Sequence, residues 1–172
     1  MPARGTDYLS GGMACYGVYA TADHRHLAVG AIEIKFWNNF CETIGRPDLL
    51  KRGHLIGNEG VAARAEVART IAAHDLGHWA ALFKDVDACV TPVLRLDEAN
   101  AHPHARSRGM VVESEHPMHG PYWQYAFPVK MTDFEFEVER QGASPGQDND
   151  AVLSELDYAM AEIDGLRASG VI

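Results

Sequence analysis

YGVYATADHRHLAVGAIEIKFWNNFCETI, residues 16–44, changes its hydrophobic period half-way along. In two short runs, one around Val18 and one around Leu27, every second side chain is apolar. A polar turn at residues 21–25 separates the runs, and this arrangement is typical of a β-hairpin. Beyond Glu33 the apolar side chains fall three or four positions apart, as on one face of a helix: Phe36, Trp37, Phe40, Cys41 and Ile44. The stretch therefore predicts a hairpin that leads into a helix over about residues 33–44, with one carboxylate, Glu33, at the join.

On the C-terminal side, short helices and strands continue the pattern. Helices are predicted at residues 61–73, 76–84 (capped by Asp75) and 97–101, and strands at 88–94 and 109–113. Pro92 places the strand at 88–94 at a sheet edge or a bulge, because proline donates no ladder hydrogen bond. Residues 115–128 read as irregular, with a last short strand at 127–131, and two helices at 150–156 and 159–168 close the chain.

These elements predict an α+β fold: a small mixed domain with a β-hairpin, a short sheet and packed helices, followed by a linker and two C-terminal helices. The polar, Gly-rich residues 1–14 read as the remnant of a linker, and residues 15–132 as the domain. Residues 133–149 are acidic and then rich in Gly, Ser and Pro, which is linker chemistry. Residues 150–172 form a helical tail that we expect to dock on a surface outside this domain.

The composition narrows the function classes. A net charge of −9 over 172 residues argues against a nucleic-acid partner, since phosphate binding needs a basic stripe. No apolar run is long enough to span a bilayer, and the N-terminus lacks the apolar core of a signal peptide, so we expect a soluble cytoplasmic protein without membrane contact. Cys15, Cys41 and Cys89 lie in apolar runs without CxxC spacing and read as buried thiols, not as metal ligands or disulfides.

Among polar residues, Glu33 is the leading candidate for chemistry. It stands where a helix cap belongs, although Ser, Thr, Asp and Asn cap much better, and Ile32 and Ile34 beside it would partly desolvate it. Its alternative role is a carboxylate that only stabilises a helix N-terminus. Two histidine pairs are weaker candidates: His74 and His78 as a zinc pair, and His102 and His104 as an anion contact near Arg106 and Arg108. No nucleophile elbow or dinucleotide-binding glycine motif is present.

Six sequence segments, in this order, carry a resemblance to a known family: RGTDYLSGG, CYGVYATAD, LAVGAIE, DACVTPVLRLDEA, HPH followed by RGM, and GQDNDAVLSEL. The chain resembles the C-terminal half of class III CoA-transferase family enzymes, and within that family the alpha-methylacyl-CoA racemase branch. VGAIE and DACVTPVL in that order are fairly specific, whereas either motif alone is weak.

The resemblance implies an interlocked dimer, in which a large N-terminal α/β domain binds coenzyme A and a small α+β domain closes the partner's cleft. In racemase members a His and an Asp of the large domain move the α-proton of a 2-methylacyl-CoA thioester. By resemblance Glu33 orients that His, and Leu9, Tyr16 and Ile32 wall the acyl pocket. CoA-transferase members use an acidic nucleophile of the large domain and usually lack the glutamate of this motif.

Departures from the family pattern limit what this chain does alone. Its 172 residues have no counterpart of the large domain, Ile34 stands where the family usually has proline, and Asp148 replaces a histidine. We therefore expect the small-domain portion of an acyl-CoA racemase, inactive without a large-domain polypeptide and binding no cofactor by itself, with the CoA thioester as substrate of the complete enzyme. The alternatives are part of a CoA-transferase, or a non-catalytic binding or dimerisation module.

Overall fold

The computed structural model describes residues 5–116, 118–138, 140 and 142–172, and the chain forms two compact units, one up to Arg95 and one from Leu96. The architecture is α+β, as the sequence predicts: the described residues form a three-stranded and a two-stranded antiparallel sheet together with several helices. The linker and domain limits expected from the sequence stay predictions, and residues 1–4 of the expected linker remnant lie outside the described residues.

Among its described residues the first unit contains short helical turns at Tyr8–Gly12 and Pro47–Leu49, three strands and three α-helices. In chain order these are β1 (Tyr16–Ala20), β2 (His26–Gly30), α1 (Ile34–Thr43), α2 (Gly57–Ile71), α3 (Leu76–Phe83) and β3 (Val90–Pro92). The strand order is β1-β2-β3, with Tyr16 opposite Gly30 and Leu27 opposite Pro92. Strand β3 is an edge strand, which confirms the position that proline requires.

Helix α1 confirms the change of period in the deciding stretch. Trp37, Phe40 and Cys41 are fully buried, and the Trp37 and Phe40 rings stack with centroids 5.2 Å apart. The Phe83 ring of α3 also stacks with the Phe40 ring, with centroids 5.7 Å apart. Burying one such side chain stabilises the fold by about 1.5–3 kcal/mol relative to leaving it exposed. The three stacked rings therefore hold α1 against α3.

Helix α2 begins earlier and faces differently than the sequence predicts. It starts at Gly57 instead of residue 61. The helical spacing predicts one packed side made of Val61, Ala65, Ala68, Ile71 and Ala72, but Val61 is 65% exposed and only Ile71 of this set is buried. The buried face consists of Gly60, Ala63, Val67 and Ile71. Gly60 lies so close to the preceding loop that an added Cβ would stand 2.3 Å from the Leu55 carbonyl oxygen. The buried face thus combines two large apolar side chains, Val67 and Ile71, with a glycine that allows the close approach to the loop.

The second unit contains α4 (Leu96–Ala101), α5 (Pro103–Ser107), β4 (Val111–His116), β5 (Gly120–Tyr125), α6 (Asn149–Glu155) and α7 (Met160–Ala168). The two C-terminal helices are confirmed within one or two residues. The irregular stretch expected at 115–128 is wrong, because β4 and β5 form a hairpin in which Val111 faces Tyr125. The strand expected at 127–131 is also wrong: only an isolated bridge joins Met131 to Phe134.

Candidate functional site

Glu33 is the N-cap residue of α1, at the end of the hairpin. Its backbone is extended (φ −70°, ψ 139°), yet its side chain makes no capping hydrogen bond. The side chain is exposed, and among the described residues its carboxylate has no hydrogen-bond or ion-pair partner. Ile34 beside it is 71% exposed, so the partial desolvation expected from the flanking isoleucines is wrong for this chain by itself. The carboxylate is thus available to a group that the described residues do not supply.

Ile32 precedes Glu33 and is half-buried. Its carbonyl oxygen lies 2.5 Å from Nε2 of the exposed His54 imidazole. The contact joins the loop after α1 to the hairpin–helix junction and restrains the backbone that carries Glu33. No local pattern indicates this role of His54, because the contact joins residues 22 positions apart.

Leu9 and Tyr16 line one cavity of about 550 Å³, whereas Ile32 does not line it. The cavity lies beside the hairpin and is bounded by the helical turn, β1, β2, α2 and the β3 region: Leu9, Ser10, Gly11, Tyr16, Gly17, Val18, Ala28, Val29, Gly30, Arg64, Cys89 and Thr91. The structure therefore brings together two of the three residues that the family resemblance assigns to an acyl pocket. Their role there stays a prediction.

The helical turn that carries Leu9 is held by local hydrogen bonds. The Asp7 carboxylate accepts from the Tyr8 amide at 2.7 Å, and the Ser10 hydroxyl accepts from the Asp7 amide at 3.2 Å. Gly11 has a φ of +110°, a conformation that other residues rarely adopt. An added Cβ on Gly12 would stand 2.4 Å from the Thr6 carbonyl oxygen. The two glycines therefore allow the turn to close beside β1 and present Leu9, 64% exposed, at the cavity.

Arg64 is the cavity residue that the sequence analysis missed. It projects from α2, its guanidinium carbon lies 5.1 Å from the centre of the Tyr19 ring, and Nη2 lies 3.5 Å from the Val18 carbonyl oxygen. Nη1 is buried and has no hydrogen-bond partner among the described residues. A sequence signal existed, since Arg64 follows Ala63 and precedes Val67 by three positions, on the stripe of α2 that is buried. A charge on such a stripe needs an explanation.

The Tyr19 side chain forms a fixed floor below the guanidinium. Tyr19 is buried, and its hydroxyl donates to the Ala14 carbonyl oxygen at 2.6 Å. Burial raises the pKa of Tyr19 to about 12, and the nearby Arg64 charge opposes that rise. The phenol is therefore neutral at physiological pH and offers Arg64 a ring face, not a counter-charge.

The cysteines divide into two kinds. Cys15 and Cys41 are buried as expected, and desolvation raises the pKa of their thiols to about 11 and about 12. Cys89 contradicts the expectation of a buried thiol, because it is exposed, lines the cavity and has a φ of +51°. The prediction failed because Cys89 lies in an apolar run that was predicted as a strand over 88–94, whereas β3 begins only at Val90.

The two histidine pairs both make local contacts. His74 and His78 stack their rings with centroids 4.0 Å apart, and Asp75 between them caps α3 through the His78 amide. His102 caps α5, because its Nδ1 accepts from the His104 amide at 3.2 Å. In the part of the chain that the structure describes, no group of three or more His, Cys, Asp or Glu side chains is arranged to hold a metal ion. Within that same part, no helix is both long and apolar enough to cross a membrane.

The sequence model of CoA-transferase family III matches residues 2–149, a span that includes Glu33 and the whole cavity. The chain belongs to CoA-transferase family III.

Curated relatives of this family III chain include both racemases and CoA-transferases. The alpha-methylacyl-CoA racemase of Homo sapiens is 27% identical over 169 residues, 98% of this chain and 44% of the relative. A formyl-CoA:oxalate CoA-transferase of Escherichia coli is 29% identical over 148 residues, 82% of this chain and 35% of the relative. The chain thus spans less than half the length of these relatives, and their identities do not separate the two branches.

Solved structures share the fold of this chain. Rv3272 from Mycobacterium tuberculosis, in its orthorhombic crystal form, superposes with a TM-score of 0.59 at 18% identity, over 81% of this chain and 40% of that one. A CAIB/BAIF family protein from Brucella suis superposes with a TM-score of 0.57 at 18% identity, over 84% of this chain and 38% of that one. At this identity the likeness establishes the fold alone.

Proposed function

We propose that this family III chain is the small-domain portion of an acyl-CoA racemase, which moves a proton at the α-carbon of a 2-methylacyl-CoA thioester. The complete enzyme would need a large domain that supplies coenzyme A contacts and the proton-transferring His and Asp. The chain would bind no cofactor by itself, and the CoA thioester would be the substrate of the assembled, dimeric, cytoplasmic enzyme.

The observation that carries this proposal is the unpartnered carboxylate of Glu33. A glutamate that served only as a helix cap would accept a hydrogen bond from the first turn of α1, and Glu33 does not. It is exposed and follows the end of β2 by three residues. Gly30, the last residue of β2, lines the cavity together with Leu9 and Tyr16. This is where a carboxylate could reach a group brought in by another domain while the acyl chain occupies the cavity.

In the proposed mechanism Glu33 accepts a hydrogen bond from one ring nitrogen of the large-domain His. That bond fixes the tautomer and orientation of the ring and makes its other nitrogen a better base. The base removes the α-proton to leave an enolate, and the acid on the opposite side returns a proton to the other face. The α-carbon is inverted, and the composition of the substrate does not change. Glu33 is thus a positioning residue, since it acts through the imidazole.

The test is Glu33→Gln in the chain combined with a large-domain polypeptide of the family. Deuterium uptake from D₂O at the α-carbon of a 2-methylacyl-CoA measures turnover. We expect kcat to fall at least about tenfold with little change in KM, because the imidazole loses an orienting charge and not a substrate contact. The pH–rate profile should shift to lower pH, since an imidazole without its carboxylate has a lower pKa.

Glu59→Gln is the matched control, because Glu59 is also an exposed carboxylate in the first turn of a helix, α2. It should leave kcat and the pH profile unchanged. Unchanged turnover in the Glu33 variant would return Glu33 to a structural role and remove the support for the racemase branch.

A second candidate function is transfer of CoA between carboxylic acids. It is favoured by the formyl-CoA:oxalate CoA-transferase of Escherichia coli, whose identity to this chain, 29%, is as high as that of the racemases. Exchange of CoA between two acids by the assembled protein, without deuterium uptake at the α-carbon, would select this function. Neither activity in the assembled protein would favour a non-catalytic binding or dimerisation module.

A further inference from the structure

We propose that Arg64 makes the cavity a carboxylate subsite, so that the acyl group it accepts is the monothioester of a dicarboxylic acid. This inference rests on the proposed function only in that an acyl-CoA thioester enters the cavity. It adds a ligand contact and a substrate class: an apolar stem between Leu9 and Tyr16, and an anionic end at the guanidinium.

The first argument is that Arg64 carries a charge without a counter-charge. Among the described residues no carboxylate lies within ion-pair distance of it, whereas Arg46 and Arg52 of the same unit both pair with Glu66. Its contacts are the Tyr19 ring face and a long hydrogen bond to the Val18 carbonyl oxygen. The chain has a net charge of −9, and yet the half-buried Arg64 guanidinium has no carboxylate partner among the described residues. Since a buried charge is normally paired, we take the guanidinium as a binding site for an anionic ligand.

The second argument is the orphaned donor. Nη1 of Arg64 is buried and has no acceptor, and a buried N–H without an acceptor is costly to the fold. A carboxylate accepts two parallel N–H bonds from a guanidinium, which gives charge compensation and an acceptor in one group.

The third argument is the shape of the wall around the guanidinium. Cβ atoms added to Gly11 and Gly17 would stand 3.5 Å and 2.3 Å from Nη1 of Arg64. Both glycines line the cavity, so the absence of side chains at these positions keeps the guanidinium at its edge. A cavity bounded by Leu9, Val18 and Val29 with one cation fits an apolar chain that ends in an anion.

Carboxylate binding to the chain is measured directly, without turnover. The probes are the S-ethyl monothioester of glutaric acid and its terminal amide, which has the same shape without the charge. Titrations are followed by the ¹⁵N–¹H signals of the Arg64 side chain and the Gly17 amide at constant ionic strength. We expect the acid to bind at least about tenfold more tightly than the amide, and Arg64→Gln to remove that preference.

Arg69→Gln is the matched control, since Arg69 is an exposed arginine on the same helix and its loss changes the net charge equally. Gly17→Ala is the second variant: its methyl group displaces the guanidinium without removing the charge, and the acid preference should fall as well. Equal affinity for acid and amide, or an equal loss in the Arg69 variant, would overturn the proposal.

One further outcome would identify a different kind of ligand. Inorganic phosphate that competes as strongly as the acid would mean a general anion site and would overturn the carboxylate assignment. Failure of the Glu33 test leaves this titration unaffected, because the titration needs only the cavity of this chain. The two proposals therefore fail separately.

Discussion

At the scale of single residues, Glu66 joins two arginines of the first unit. Its carboxylate lies 2.5 Å from Arg46 and 2.9 Å from Arg52, and Arg46 also forms a two-bond pair with Asp48. The hydrogen bond from Arg52, followed by that from Arg46, holds the pKa of Glu66 below its ordinary value of 4.5. Glu66 thus ties α2 to the loop that follows α1.

We expect this network to make stability depend on pH on the acid side. A carboxylate whose folded pKa is depressed stabilises the fold above its unfolded pKa, and that stability is lost as the pH falls through the folded pKa. Urea unfolding between about pH 5 and about pH 3 should show a falling midpoint. Glu66→Gln should flatten part of this dependence, whereas Glu59→Gln, which removes an exposed carboxylate without an ion pair, should not. The same pH dependence in the Glu66 variant would contradict this assignment.

At the scale of elements, the loop between α1 and α2 is packed by Trp37. The buried indole donates from Nε1 to the Leu49 and Leu50 carbonyl oxygens, both at 3.1 Å, and Gly53 lies against its ring. The Gly53 carbonyl oxygen in turn accepts from the Cys15 amide at 3.1 Å. One indole therefore connects α1 with the loop that leads to His54, and through it with the backbone before Glu33.

Gly53→Ala should destabilise the first unit by about 1–3 kcal/mol, because the new Cβ would stand 2.3 Å from the buried indole. Gly77→Ala, in the first turn of α3, meets only an ordinary contact at 3.6 Å and should be neutral or stabilising by about 0.5–1 kcal/mol. Chemical denaturation followed by circular dichroism measures both. Equal effects of the two substitutions would mean that the loop moves away from Trp37 at little cost.

At the scale of the whole molecule, the chain spans 44% of the human racemase that it resembles. In the first unit the described residues include an exposed carboxylate without a partner, Glu33, and a cavity of about 550 Å³. A net charge of −9 also disfavours the phosphates of coenzyme A. They motivate the proposal that the chain completes an active site together with a large domain.

We expect the purified chain alone to show no deuterium uptake at the α-carbon of a 2-methylacyl-CoA. It should also show no saturable heat of binding with coenzyme A at concentrations up to about 1 mM. Addition of a large-domain polypeptide should restore both, and activity should then depend on Glu33. Racemisation by the chain alone would place the proton-transferring groups within these 172 residues and would contradict the proposed mechanism.

Local patterns predicted most of the first unit. The hairpin, α1 and the Asp75 cap of α3 follow from periods and capping preferences that neighbouring residues set by themselves. Strand β5 was missed because residues 115–128, rich in Pro, His and aromatic side chains, read as irregular, and only pairing with β4 makes part of this stretch a strand. The packed face of α2 was missed because its close contacts depend on the loop around Leu55.

The sequence by itself determined where a hairpin passes into a helix and that Glu33 stands at that join, because both follow from spacing within 29 consecutive residues. Only the tertiary structure decided that Glu33 has no partner among the described residues. It alone also brought Arg64 beside Leu9 and Tyr16, residues 48 to 55 positions away along the chain. Contacts between residues this far apart in the sequence depend on how the elements pack. Gly11 and Gly17 leave room for the Arg64 side chain, but a glycine in a sequence does not indicate which side chain will lie against it.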